Sequence, residues 1–404
     1  MKRFKVKIKM SLVMAALLGL ARPASAARLP YTPVVTPNGS TLPFTLDHGV
    51  KVFHLTAEVV KKEIAPGMVI NAWGYNGQTP GPTIEAVEGD RVRILVTNHL
   101  PEPTTIHWHG LILPSGMDGV SGINQRPIAP GETYAYEFTL RQHGTLMYHP
   151  HADETLQMAL GMEGFFIIHP KHEPHPIDRD YAIFLHEWDV PPGAATPNPA
   201  AMTDFNLFTF NGRAYPGTAP LLAQLGDRVR IRFANLGMDS HPIHIHGLQF
   251  VETGTDGGDI PVGARRRETT VNVPPGTTRD IEFVASNPGD WSMHCHKAHH
   301  AMNQMNHDVP NMTGVSQAGV DAKLQKLLPG YMPMGEHGMH EMAGMHMGGP
   351  ANTLPMMDGQ GPYGPVGMGG MFTVLKVRAH LHGDQDPGWY APPPGTQAHK
   401  VEAP

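Results

Sequence analysis

Four short stretches carry histidines in alternation: HWHG (107–110), HPH (149–151), HPIHIHG (241–247) and HCHKAHH (294–300). Cys295, the only cysteine among 404 residues, stands in the last of them between His294 and His296. A lone cysteine has no disulfide partner in its own chain, so its chemistry is that of a thiol or thiolate. In a strand, residues i and i+2 project from one face and i+1 from the other. His107 with His109, His149 with His151, His244 with His246, and His294 with His296 therefore each present two imidazoles on one side. Cys295 points the opposite way, so one strand can serve two metal sites a few bonds apart. On the cysteine side, His241, His300 and Met305 supply two imidazoles and a thioether. Cysteine, two histidines and a weak axial methionine are the donors of a blue-copper electron-transfer site. The other side gathers eight histidines without a thiolate, a set suited to copper ions that bind and reduce dioxygen. Zinc prefers four closed ligands and does not account for eight histidines.

These motifs, in this order, resemble those of the multicopper oxidases, the laccase-like family. The resemblance runs over roughly residues 65–312 and the final strand. Carried over residue by residue, it implies type 1 copper ligands at His241, Cys295, His300 and Met305. It implies type 2 ligands at His107 and His244, and type 3 ligands at His109, His149, His151, His246, His294 and His296. Met305, ten residues after Cys295, fits the family spacing, and Met302 does not. Asp118 matches an acidic position that the family uses beside its trinuclear cluster, where a carboxylate can relay protons to dioxygen. Many relatives carry a second acid near the fourth motif; here Ala298 and Ala301 follow it, and Asp153 and Glu154 are the candidate substitutes. The implied cofactor is copper, four ions per chain: one type 1, one type 2 and two type 3. The implied reaction couples one-electron oxidation of four donor equivalents to reduction of dioxygen to water. The donor has no short motif; phenols and cuprous ion both deliver single electrons.

The elements that must position these residues occur twice. GDRVRI at 89–94 returns at 226–231, and HWHG aligns with HIHG at the same offset. The stretch 129–151 aligns with 274–296 after a short insertion, so HPH falls on HCH. Alternation as in RVRILV and TYAYEF marks half-buried strands, separated by turns such as APGET and VPPGTT. The predicted fold class is all-β, two tandem cupredoxin-like Greek-key β-sandwiches. The expected divisions are an N-terminal arm at 27–49, domain 1 at 50–172, a linker at 173–179 and domain 2 at 180–380.

His151 and His241 are 90 residues apart, which leaves no room for the middle domain of common laccases. The chain therefore resembles two-domain laccases with type 1 copper in the second domain. That branch implies a homotrimer with each trinuclear cluster between two chains. Copper nitrite reductases resemble it in architecture, but their type 1 cysteine belongs to domain 1 and their catalytic copper has three histidines. A copper-sequestering protein is the alternative from another class, although storage needs no thiolate bridge between two sites.

Residues 1–26 combine a basic leader, the apolar run MSLVMAALLGLA and a small-residue ASA, the pattern of a secretory signal, so a periplasmic location is expected. No later segment approaches a membrane span. The net charge of −6 gives no basic face for nucleic acid. The 26 histidines and 24 methionines are the unusual entries in the composition, and both are metal-ligand types. An insertion at about 313–369 separates the fourth motif from the last strand and contains MPMGEHGMHEMAGMHMGGP (332–350), which suits collection of cuprous ion. The tail from 381 is proline-rich and polar and is expected to be disordered.

Overall fold

The computed structural model describes residues 31–301 except 174 and 192, residues 359–401, and positions 319, 323, 326 and 327. The signal segment, Met305 and the methionine-rich run at 332–350 lie outside the described residues.

Two sandwiches follow one another along the chain. In the first, Phe44–Asp47, Val50–Ala65, Arg91–Asn98 and Thr133–Thr139 form one sheet in that order, with Met68–Tyr75 on Val50–Ala65. The facing sheet runs Gly81–Val87, Gly164–His169, Gly144–His149, His107–His109. Arg91–Asn98 shows why these segments are strands: Val92, Ile94 and Val96 point into the core while Arg91 and Arg93 point outward to Glu137 and Asp47. In the second sandwich, Arg179–Trp188, Arg228–Asn235, Thr277–Val284 and Phe250–Thr255 lie side by side. Opposite them run Leu221–Gln224, Phe372–Arg378, Gly289–Cys295, His241–Ile245 and Thr270–Val273. The repeated sequence occupies the same place in each. Arg91–Asn98 and Arg228–Asn235 each have a parallel neighbour on one side and an antiparallel one on the other.

The two sandwiches meet face to face. Gly164–His169 is buried along its whole length because both of its faces are covered. Phe166 and Ile168 belong to the first core, whereas Phe165 and Ile167 pack with Met147 against Ala182, Phe184 and Ala234 of the second sandwich. A buried polar network crosses the same seam. Arg232 donates to both Asp180 oxygens at 2.8 Å and to Thr145 Oγ1 at 2.7 Å, and Thr145 Oγ1 donates to Asp280 Oδ1 at 2.7 Å. The seam therefore uses the sheet of the second sandwich that carries none of the histidine motifs. The sheet with His241–Ile245 and Gly289–Cys295 forms the other layer.

Three expectations need amendment. The N-terminal arm is not separate: Val34–Val35 adds a parallel strand to the second sandwich, and Phe44–Asp47 is part of the first. The stretch given to a linker already contributes Glu173, paired with Arg230, and Arg179, which opens a strand. The tail has no regular structure up to 401, yet its first part is held by the last strand. Lys376 Nζ pairs with Asp386 and lies 4.8 Å from the Trp389 ring centre, Arg378 lies over Tyr390, and the Tyr390 N–H donates to Asp290. Cationic side chains of the last strand thus hold what composition alone leaves free.

Arg232→Met removes the buried cation that touches both Asp180 and Asp280 and leaves only Arg230, 3.9 Å from Asp180, beside them. It should lower unfolding free energy by about 3–5 kcal/mol, read from urea denaturation.

Candidate metal centres

The first centre is built by strand alternation. On His241–Ile245, residues His241, Ile243 and Ile245 point into the second core while Pro242 and His244 point away from it. Gly289–Cys295 pairs beside it with Ile243 opposite Cys295 and His244 opposite His294. Cys295 therefore enters the core beside His241, and His294 leaves it. A 3-10 turn at Ala298–His300 brings His300 back to the same spot, stacked on Phe208 with ring centres 3.9 Å apart. The return end of the insertion closes over it. The Met371 N–H donates to the His300 carbonyl and the Gly369 N–H to Ala301.

Three donor atoms converge. His241 Nδ1 and His300 Nδ1 are 3.0 Å apart, and Cys295 Sγ lies 3.8 and 3.6 Å from them. On the far side of each ring stands a carboxylate: Glu187 Oε1 at 2.9 Å from His241 Nε2, and Asp239 Oδ2 at 3.4 Å from His300 Nε2. The N–H directions are off the straight line to these oxygens, so the contacts are bent. With both ring protons on Nε2, toward these oxygens, two Nδ1 lone pairs 3.0 Å apart face each other in a dry core. A cation relieves that arrangement. Separations of 3.0–3.8 Å suit one ion about 2.0–2.3 Å from each nitrogen and sulfur. Burial, then the neighbouring His241, His299 and Lys297, pushes His300 down to about 2, so its ring is neutral. Burial pushes the Cys295 thiol up to about 12, so a metal must displace its proton.

The second set of residues forms two half-sites of four histidines. In the first sandwich His107 pairs across from His149, and His109 Nδ1 lies 3.3 Å from His149 Nε2. The ring centres of His149 and His151 are 6.3 Å apart. Each ring but His109 has its Nδ1 on a protein oxygen: His107 on the Asp118 carbonyl at 2.9 Å, His149 on the Pro150 carbonyl at 2.8 Å, and His151 on Glu154 Oε1 at 2.8 Å. Those bonds turn Nε2 toward the middle of the group. Burial lowers His149 to about 3 and lowers His109 also, which keeps the imidazoles unprotonated. In the second sandwich His244 pairs across from His294, and His246 Nε2 lies 3.2 Å from His294 Nε2. His296 completes the group, its ring centre 5.6 Å from that of His244 and 5.4 Å from that of His294. His244 Nδ1 is held by the Thr269 carbonyl at 2.7 Å. All ring contacts of these eight histidines with one another stay within one half or the other.

Asp118 lies against the first half, with Oδ1 3.4 Å from His107 Nδ1. The turn that carries it requires glycine at 119, where φ is +88° and a Cβ would fall 1.6 Å from the Ile106 carbonyl oxygen. Of the two substitute acids, Glu154 pairs with His151, whereas the Asp153 carbonyl accepts the N–H of Gln157 in the turn that opens the helix Glu154–Ala159. Sequence reasoning missed Glu187 and Asp239. Asp239 lies two residues before His241, close enough to notice; Glu187 comes from the opposite sheet and carries no motif.

Residues 58–173 match one description of the multicopper oxidase family, and residues 189–314 match a second. The chain belongs to the multicopper oxidases. This multicopper oxidase is similar to a probable nitrite reductase–hydroxylamine oxidoreductase fusion protein of Kuenenia stuttgartiensis, 29% identical over 64% of the chain and 31% of the relative. It is also similar to copper resistance protein A of Escherichia coli, 44% identical over 28% of the chain and 18% of the relative. The chain thus spans a third or less of the length of these two relatives. Among solved structures it resembles the multicopper oxidase mgLAC, with a TM-score of 0.61 and 28% identity over 82% of this chain and 88% of that one.

Cys295 is both buried and held as a thiol. The metal-free protein should leave Ellman's reagent uncoloured at pH 8 and release one thiol equivalent per chain once unfolded in guanidinium.

Proposed function

We propose that the chain is a laccase-like oxidase that takes single electrons from a donor at one copper and delivers them to dioxygen at three others. One observation carries this reading: Cys295 alternates with His294 and His296, so its thiol joins His241 and His300 while the flanking rings join the four-histidine group. Copper bound at these groups supplies one-electron chemistry at the first and reduction of dioxygen to water at the second. In this assignment His241, Cys295 and His300 hold type 1 copper with Met305 as axial ligand. His107 and His244 hold type 2 copper, and His109, His149, His151, His246, His294 and His296 hold the type 3 pair. The residues between the two centres form a covalent path of a few bonds, so no second protein is needed to carry the electron. Asp118, beside His107, is placed to hold a proton for the oxygen-reducing side. Glu154, on His151, replaces the acid that Ala298 and Ala301 do not provide.

Each half supplies four of eight histidines. Within a chain, the sheet bearing the first half packs on the layer of the second sandwich that lacks the other half. A second copy of the chain therefore completes the cluster, and three copies close the ring as a homotrimer. The kinship to copper resistance protein A supports a role in copper tolerance, with cuprous ion or phenols as donors, and the leader pattern of residues 1–26 supports a periplasmic enzyme. The nitrite reductase part of the other relative's name makes nitrite the acceptor to compare.

Cys295→Ser should abolish both the intense blue absorbance and oxygen uptake with a phenol donor, while much of the copper at the histidine halves stays bound. A variant that remains blue, or a wild type that consumes nitrite and not oxygen, overturns the assignment.

Assembly is tested by mixing two dead chains, His107→Ala/His149→Ala and His244→Ala/His294→Ala. Co-assembled, they should regain part of the oxidase turnover and scatter light as a trimer. If each cluster closes within its own chain, the mixture stays inactive.

A further inference from the structure

The strand Val50–Ala65 turns one cation inward. Toward its end Val60, Lys62 and Ile64 are buried, while Val59 and Lys61 face solvent. Val60 and Ile64 belong to an apolar cluster that joins this strand to Trp188, Val190, Leu207 and Ala214 of the second sandwich. Lys62 stands between them, 9% exposed, opposite Ile70 of the neighbouring strand. Alternation thus places an amine where packing alone would favour an apolar side chain.

The turn at 211–213 closes over that amine. Lys62 Nζ has one acceptor among the described residues, the Asn211 carbonyl at 3.3 Å, although an ammonium has three N–H groups to place. Glycine is required at 212, where φ is +65° and a Cβ would fall 2.7 Å from the Thr79 carbonyl oxygen and 2.9 Å from Lys62 Cε. The Ala214 N–H donates to the Ile64 carbonyl at 2.7 Å, which fixes the turn to the strand. Arg213 follows the glycine. Its Nη1 donates to Glu63 Oε2 at 2.6 Å, and its Nε–H is buried with no hydrogen-bond partner among the described residues. Burial, then the charge of Arg213, lowers Lys62 to about 8. Near that pH about half of the chains carry the neutral amine, which is a nucleophile. An anion formed on it would turn repulsion from Arg213 into attraction.

We propose that Lys62 is a carbamylation site, where its amine adds dissolved carbon dioxide and Arg213 holds the carbamate. The nitrogen lone pair forms a bond to the carbon, and one C–O π bond breaks to leave the charge on oxygen. The surplus proton on nitrogen goes to solvent, and nothing is oxidised or reduced. The carbamate oxygens accept the Nε–H of Arg213, and the nitrogen keeps one N–H for the Asn211 carbonyl. Charge at this position changes from positive to negative, so an ion pair ties a strand of the first sandwich to a turn of the second. The modification is independent of copper and of the oxidase reading.

The test uses the full chain in isotopically labelled bicarbonate at pH 8, with the carbamate carbon followed by NMR. Wild type should show one carbamate signal that Lys62→Arg loses. Arg213→Gln should weaken carbon dioxide uptake at this site about tenfold, as expected for one lost hydrogen bond to a charged group. Bicarbonate should also raise the thermal midpoint of wild type and leave that of Arg213→Gln unmoved. Trapping the wild-type carbamate with triethyloxonium ion, then peptide mass analysis, should place it on Lys62 and not on exposed Lys61; this reading needs no variant to fold. A signal that survives Lys62→Arg, trapping that does not distinguish Lys61 from Lys62, or full uptake in Arg213→Gln overturns the site.

Discussion

Everything in this molecule depends on one strand having two sides. Gly289–Cys295 lies in a sheet that closes a hydrophobic core on one face and is open on the other. Alternation sends Cys295 inward, to a dry place where two imidazoles wait with lone pairs exposed, and sends His294 outward to a cluster of rings. No loop of comparable length would keep the thiol and its neighbours so strictly apart, because only the pleat forces successive side chains to opposite faces. The sandwich supplies rigidity for both groups from a single backbone segment.

The inward group is also constrained electrostatically. A neutral imidazole has one nitrogen to give, and which one it is follows from the partner of the other. Glu187 and Asp239 make that choice for His241 and His300, and both carboxylates lie outside the histidine motifs. Glu187 comes from the facing sheet, so the separation of the two layers sets the position of the ring. Burial works against its charge, but His241 first, and then the backbone N–H groups of Met238 and Asp239, outweigh it and hold its carboxyl below the usual range.

Duplication reuses the same strand layout with one change. Pro150 stands in the first sandwich where Cys295 stands in the second, so the first copy keeps the outward histidines and has no thiol on the inward side. The seam between the copies then decides which histidines can meet. Phe165, Ile167 and Met147 cover Ala182, Phe184 and Ala234, and Arg232 with Asp180, Asp280 and Thr145 locks the same faces. The outward histidines of the second copy lie on the layer away from that seam.

Strand periodicity, the repeat and the four histidine motifs were legible in the sequence because each is a local pattern. Alternation has a period of two, and GDRVRI and HxHG recur without reference to anything distant. Cys295 facing away from His294 and His296 follows from the same rule, as does the meeting of His241 with Cys295 once two strands pair. What tertiary structure alone decided is every contact made between elements without a shared motif. Glu187 reaches His241 across the sandwich, 54 residues apart in sequence; Lys376 and Arg378 hold a tail whose composition suggests disorder; Glu154 rather than Asp153 meets His151. These are long-range choices among chemically similar residues, and only packing separates one carboxylate from another.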